Sequence, residues 1–594
     1  MPPDGSIRLY AIPTTQLFGH PQESFYSYLH HSRETGAMGT ESARAALAAW
    51  RDEFPADAFT SDPQLRALLA RVLPPDRLRA LEDSASAFAH QITLVIAPMA
   101  ARYEQRSHLP ELARYDPIGR RSESVVFDPS YDTAGAVVWA SGLVALSGKS
   151  GTAYEQATLL YLLSLEGEAG HACPATCTIG LARALRRAAD PSVRDRFLPT
   201  LIDPDYTTAD RGSQFLTEVQ GGSDVGANVC QAVPTGEDGT YRITGEKWFC
   251  SVADAGQFFL TARVKGGPEG TPGLGSFVVP RLLDGQPNGF ALRRLKDKLG
   301  TRGLASGEID FDDALAWPIG PVEHGFRTAV GIVLNTSRWM TAVGDAGMMR
   351  RAYLEASSYA LHREAFGRPI GEFPAVRRTL GAMAATSVGA LHLVFALTGL
   401  EDLIDAEVAT EEDVLFHRFL VNLAKYLVSR QATDVVHDAI EVLGGNGAIE
   451  DFSVLPRLYR DAIVYESWEG SHNVLVAQIL NDLRRLPILD VVAYRLRRCL
   501  EGATDHDLVA QVQKGLDEAL DTARQCISDA TFGMWHFRDL VDRIGVLAEA
   551  SFLAEAGEDS MAHYLILRHV TDGYRPEGDT NLKARVEAIL SSMG

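Results

Sequence analysis

Residues 217–224 read TEVQGGSD, and the chain changes character around this point. Two consecutive glycines between hydroxyl and carboxyl side chains suit a loop whose backbone N–H groups approach a ligand closely, although Gly-Gly-Ser also serves plain turns. From 213 to about 317 short alternating segments follow one another: TYRITGEKWFCSV (240–252), QFFLTARV (257–264), GSFVVP (275–280) and SGEIDFDDA (306–314). Turn-rich pieces separate them (PTGEDGT, KGGPEGTPG, DGQPNG), which is the pattern of an antiparallel β-domain. Before this region the pattern is helical from about Ser42 to Arg187, with segments such as ESARAALAAWRDEF (41–54) and EQATLLYLLSLEGEAG (155–170). Clusters of Pro, Asp and Gly mark expected loops at 115–132 (YDPIGRRSESVVFDPSYD) and 191–197 (PSVRDRF). After Gly320 the chain is helical to the end, so the class expected is α+β and multidomain.

Hydrophobic residues make up 46% and charged residues 22% of the 594, which excludes wholesale disorder. With 56 Lys/Arg against 77 Asp/Glu the formal net charge is −21. A chain this acidic repels phosphate backbones overall, which weighs against generic nucleic-acid coating but leaves room for one basic patch. Six cysteines are too few for a disulfide framework; Cys173 and Cys177 have no second Cys/His pair at finger spacing, so reduced thiols and no metal site are expected. Positions 1–13, MPPDGSIRLYAIP, lack a basic stretch followed by an apolar one, so no export signal is expected. Residues 379–400 carry no charge and approach the length of a membrane span. They are rich in Ala, Gly, Thr and Ser, contain His392, and read as a helix packed on all sides; a cytoplasmic protein without membrane insertion is expected.

Four more constellations carry chemistry. GEKWFCS (245–251) places aromatic residues on an alternating strand, where sheet core is the ordinary role. REAFGRP (363–369) closes a helix, and its Arg363 could pair bidentately with a phosphate. EVLGGNG (441–447) is a second glycine cluster that could admit a ligand against backbone. RDAIVYESWEGS (460–471) ends with Glu469 between Trp468 and Gly470: either a desolvated base beside open space or a helix-terminal surface carboxylate.

In this order the five motifs resemble those of the acyl-CoA dehydrogenase superfamily, from about Tyr115 to Leu480. YDPIGRR, EAGHACP, KDKLGTRGLAS, GEKWFCSV and SWEGSHN are more similar to its AidB-like branch, flavoproteins related to the bacterial adaptive response to alkylation. The resemblance implies four domains: a helical N-terminal domain with its extension (1–212), a middle β-domain (213–320), a C-terminal helical bundle (321–480) and an additional helical domain (481–594). It implies FAD, α,β-dehydrogenation of an acyl thioester with hydride passing to flavin N5, and Glu469 as the base for the α-proton. Leu216, Thr217, Phe249 and Ser251 would face the flavin, with Thr217 on its pyrimidine side; Phe249 stands where Trp is usual and Ser251 where Thr is common. Ser223 would lie near the acyl-CoA diphosphate, with Gly470 also against substrate, and Arg338 would contact the CoA moiety. Arg363 and Phe366 would reach FAD of a neighbouring subunit, with Gly444 and Gly445 close to it. Glu441 replaces a usual Gln near the diphosphate, and Ser471 and Asn473 would line the adenine end. Some relatives carry the base just before the helix Arg; here that neighbour is Ser337, which leaves Glu469.

The partners implied are an acyl-CoA or an acyl-carrier thioester, an electron-transfer flavoprotein, and further copies of the chain in a homodimer or homotetramer. The competing expectation is a DNA-associated protective flavoprotein with little turnover. Against it, residues 481–594 hold 13 Lys/Arg and 19 Asp/Glu, 13 minus 19 or −6, the wrong sign for a DNA-binding domain. One cluster, Arg484, Arg485, Arg495, Arg497 and Arg498 with only Asp490 among them, keeps that alternative open.

Overall fold

The computed structural model describes residues 39–594 apart from positions 168, 237 and 572. The reading of positions 1–13, the part of the N-terminal domain before 39, and the first residue of EAGHACP lie outside the described residues. Among the described residues eight helices build the N-terminal part: α1 (Thr40–Asp52), α2 (Pro63–Val72), α3 (Pro75–Gln91), α4 (Ala97–Tyr103), α5 (Pro129–Ala140), α6 (Ala153–Ser164), α7 (Ala169–Ala188) and α8 (Pro191–Leu201).

Two expected loops are corrected. Most of 115–132 belongs to a β-hairpin, in which β1 (Glu111–Tyr115) pairs antiparallel with β2 (Arg121–Val126). The Asp, Pro and Gly that suggested a loop build only its turn: Asp116 Oδ1 accepts from the N–H groups of Ile118 at 3.0 Å and Arg120 at 2.8 Å, and Gly119 takes φ +81°. PSVRDRF lies inside α8, because a proline in the first helical turn starts a helix rather than breaking it.

The middle domain is a seven-stranded sheet. Its order is β10 (Phe290–Leu295), β11 (Ser306–Pro318), β5 (Tyr241–Ser251), β4 (Gln231–Pro234), β6 (Gln257–Val264), β3 (Gly212–Phe215), with β7 (Leu274–Pro280) pairing β11 and β6. The antiparallel expectation holds for β5, β7, β10 and β11, whereas β3 and β4 run parallel to β6. Inward-facing Phe215, Ile243, Phe258, Phe277 and Ile309 are fully buried between the faces.

The bundle consists of α9 (Asn335–His362), α10 (Pro374–Asp405), α11 (Glu411–Leu443), α12 (Leu455–Ser467) and α13 (His472–Arg485). Among the described residues two stretches are long and apolar enough to cross a membrane by length and composition, 75–103 and α10; the apolar window of α10 is 89% buried within the protein. Its polar groups are satisfied there: Trp339 Nε1 donates to Thr398 Oγ1 at 2.9 Å, and Glu401 lies between Arg183 and His417, both at 2.7 Å. The extension, α14 (Ile488–Cys499), α15 (His506–Ser528), α16 (Ala530–Ala556), α17 (Asp559–His569) and α18 (Leu582–Ser592), lies against α10 and α11. Gly545 marks one close approach, since a Cβ there would stand 2.7 Å from Leu427.

Candidate active site

Glu469 lies just beyond the end of α12, in a turn that does not suit a side chain: φ is +56° at Glu469 and +112° at Gly470. A non-glycine residue there costs on the order of 1–3 kcal/mol, so something must hold it. Two buried cations do. Arg338 of α9 donates from Nε to the Glu469 carbonyl at 2.9 Å, and Lys425 of α11 donates to the carbonyls of Glu466 at 2.9 Å and Gly470 at 3.1 Å. Arg338 Nη1 adds bonds to Asn422 at 2.8 Å and Gln478 at 3.2 Å. Arg338, which the resemblance directs toward CoA, is buried here, with its Nε and Nη1 bonded to the turn and its neighbours.

The carboxylate of Glu469 turns toward β3. Gln214 Nε2 donates to its Oε1 at 3.2 Å and to Ser337 Oγ at 2.7 Å. The other oxygen, Oε2, is buried and has no hydrogen-bond partner among the described residues. Burial pushes the Glu469 carboxyl above its ordinary value, while Arg338, Lys425 and the Gln214 bond pull the other way; burial wins. Glu469 lines a narrow cavity of about 20 Å³, space for roughly one water. Around it stand Leu160 of α6, Cys173 and Cys177 of α7, Gln214, Ser337, Met340, Tyr465 and Trp468. The two thiols face each other at 3.9 Å, as free cysteines.

The loop 217–224 is tied to β5 by a buried ion pair. Lys247 Nζ lies 2.7 Å from Glu218 Oε1, and both side chains are almost completely buried. Glu218 Oε2 also accepts from the N–H of Val229 at 2.7 Å, and Trp248 N–H donates to the Thr217 carbonyl at 3.0 Å. Leu216 is buried and Thr217 half-buried, with Gly222 so close that a Cβ would come within 2.8 Å of Thr217 Oγ1. Ser223 is exposed, and so is Phe249, at 54% an unusual aromatic exposure. Lys296 Nζ lies over the Trp248 ring at 3.6 Å, and Ser251 Oγ is 3.3 Å from Ser306 Oγ.

Arg363, Phe366, Glu441, Gly444 and Gly445 are all exposed, with Phe366 at 62%. Ser471 and Asn473 open α13 and are exposed; Asn473 Oδ1 accepts from Arg538 of the extension at 3.0 Å. The structure thus gathers Glu469, Gly470 and Arg338 at one place and leaves Arg363, Phe366 and the 441–445 residues on open surface. Sequence reasoning missed Gln214, Lys425, the Glu218–Lys247 pair and the thiols in the cavity wall. Gln214 stands in GSQF, a polar strand that proves buried throughout, and like the others it is set by contacts between distant segments.

A chain with this β-domain between two helical domains, and a buried carboxylate where they meet the cavity, defines an acyl-CoA dehydrogenase architecture. Residues 213–314 match the acyl-CoA dehydrogenase middle domain, 323–483 the acyl-CoA dehydrogenase C-terminal domain, and 52–208 the adaptive response protein AidB N-terminal domain. AidB of Escherichia coli (strain K12) is 35% identical over 389 residues, 63% of this chain and 69% of that protein. Acyl-CoA dehydrogenase family member 11 of Caenorhabditis elegans is 30% identical over 438 residues, 71% and 70% of the two chains. The crystal structure of Caenorhabditis elegans ACDH-11 in complex with C11-CoA superposes with a TM-score of 0.79 at 26% identity, covering 89% of this chain and 93% of that one. The chain belongs to the acyl-CoA dehydrogenase family, in its AidB-like branch.

FAD is the cofactor of this family, and the residues present fit it. Phe249 offers an aromatic face beside the Thr217 loop, and Arg363 offers an exposed guanidinium with no ion pair among the described residues. At Gly444 and Gly445 a Cβ would meet nothing within 4 Å, so backbone there lies open to a ligand.

Proposed function

We propose that this chain is an FAD-dependent dehydrogenase of acyl thioesters in which Glu469 removes the α-proton. One observation carries the reading: Glu469, which lines a narrow cavity, keeps its Oε2 buried and without a hydrogen-bond partner among the described residues. A carboxylate poorly solvated in its ionised form is a stronger base than one in water, which a weakly acidic α-carbon requires. Arg338 and Lys425 oppose its neutralisation and hold the turn rigid. As the Cα–H bond breaks, its electron pair stays on carbon and the proton ends on Oε2. The thioester carbonyl takes the main-chain N–H of Glu469, by analogy with the family, and so gains a donor where enolate charge develops. When bound, FAD accepts the hydride that leaves the β-carbon.

Leu216, Thr217, Phe249, Ser251, Ser471 and Asn473 would hold the chain's own cofactor, and Ser223 and Gly470 would meet the substrate. Arg363, Phe366, Glu441, Gly444 and Gly445 would receive the cofactor of a second copy, which makes the working unit at least a homodimer. Their shared exposure supports this. An acyl-CoA is the substrate class, as the Caenorhabditis elegans relative bound to C11-CoA suggests, and an electron-transfer flavoprotein is the acceptor expected in the cytoplasm. Three of the five clustered arginines are engaged within the protein, which favours this reading over DNA association: Arg495 by Glu412 and Asp413, Arg497 by Asp517, and Arg484 by the Cys526 carbonyl at 3.0 Å. Anaerobic titration of the yellow protein with acyl-CoAs of graded length tests the proposal: at least one should bleach the flavin.

A further inference from the structure

We infer that Gln214 positions the base: its amide fixes Oε1 of Glu469 and leaves Oε2 as the atom that takes the proton. This rests on the dehydrogenase reading above. Gln214 stands in β3, all four residues of which are buried, and is the one side-chain donor to the carboxylate among the described residues. Arg338 and Lys425, the nearby cations, give N–H groups to main-chain carbonyls of the turn instead. The amide has little choice of orientation. An ionised carboxylate only accepts, so the NH₂ must face Glu469, and the Ser337 hydroxyl at 2.7 Å accepts from the same nitrogen. Gln214 Oε1 then points toward Gly180 of α7, 3.8 Å from where a Cβ would stand, and has no partner among the described residues. A bare buried acceptor is unfavourable. The two donated bonds offset that cost, and they hold one carboxylate oxygen while the other stays free.

The groups around Glu469 are Arg338 on α9, Lys425 on α11, Cys173 and Cys177 on α7, and Tyr465 and Glu466 on α12. None of them replaces the Gln214 bond. Because that bond favours the ionised form, losing it should raise the carboxyl's titration midpoint.

The test is an infrared titration of the Glu469 carboxyl in the flavoprotein, isolated by difference against Glu469→Gln. Gln214→Met keeps similar bulk and should move the midpoint up by about one pH unit. The ascending limb of thioester-driven flavin reduction should move with it, and the plateau rate should fall by about 10- to 100-fold while thioester affinity stays within about threefold. Coincident titrations of wild type and Gln214→Met would overturn the assignment. If Gln214→Met does not fold, Ser337→Ala should give a smaller shift in the same direction with unchanged melting, and no shift overturns it equally. If the midpoint moves but no acyl-CoA reduces the wild-type flavin, Gln214 keeps its assignment to the carboxylate and the dehydrogenase reading falls.

Discussion

Arg338 donates its Nε–H to the main-chain carbonyl of Glu469 across 2.9 Å, so the turn that carries the base is held by a helix 131 positions earlier. The guanidinium serves Glu469, Asn422 and Gln478 at once, a fan of acceptors that a lysine ammonium on a flexible stem cannot reproduce. Arg338→Lys should therefore retain flavin but slow thioester-driven reduction by about 10- to 100-fold, read by anaerobic stopped flow. Reduction at the wild-type rate would show that the turn holds itself.

Glu218 and Lys247 are buried together and pin the loop that begins at Thr217. Removing one partner strands a buried charge, which costs about 3–5 kcal/mol, whereas replacing both with apolar residues costs far less. Lys247→Met should lower the melting temperature and the flavin content, and Lys247→Met/Glu218→Gln, which removes the second charge but keeps an acceptor for the Val229 N–H, should recover much of the melting temperature. Equal destabilisation in the single and double variants would show that charge pairing is not what holds the loop.

Gly445 separates ligand binding from folding. An added side chain meets no protein atom within 4 Å, and its φ is not in the left-handed region, so Gly445→Val should melt like wild type. If a cofactor passes over it, the same change should weaken FAD retention by about tenfold or more, as should Arg363→Ala through a lost charge-assisted bond. Full flavin content in both variants would remove this surface from the cofactor site.

Glu549 makes stability fall with rising pH. It is completely buried, with Gln431 at 3.1 Å, and burial raises its carboxyl from 4.5 to about 8. The unfolded chain releases this proton near 4.5 while the folded chain keeps it until about 8, so its stabilising contribution is full below the first value and lost as pH rises through the second. Glu549→Gln should raise the melting temperature at pH 8 by at least about 2 °C relative to wild type, with no such gain at pH 4. A constant difference across that range would contradict the assignment.

Much of the site was legible because its motifs are local: TEVQGGSD, the KWFCS strand and the SWEGS turn each carry their residue types in a few consecutive positions. The helical, β and helical order was legible from periodicity, which is also a local property. The β1–β2 hairpin was hidden because its five- and six-residue strands flank a turn whose Asp, Pro and Gly dominate the composition. Gln214 meets Ser337 123 positions away and Glu469 255 positions away, and no single-sequence pattern pairs residues at such distances. For Arg338 the motif resemblance suggested a ligand contact, and only the packed chain shows its three protein acceptors, 84 to 140 positions away.

The most direct measurement compares wild type with Glu469→Gln in a single anaerobic turnover, mixing each flavoprotein with the acyl-CoA that bleaches wild type fastest. FAD content should be equal in the two proteins, and reduction in the variant should be slower by about 1000-fold or more, the scale of losing a general base. Reduction of Glu469→Gln at a rate near wild type would show that another group takes the α-proton, and the role given to Glu469 would be wrong.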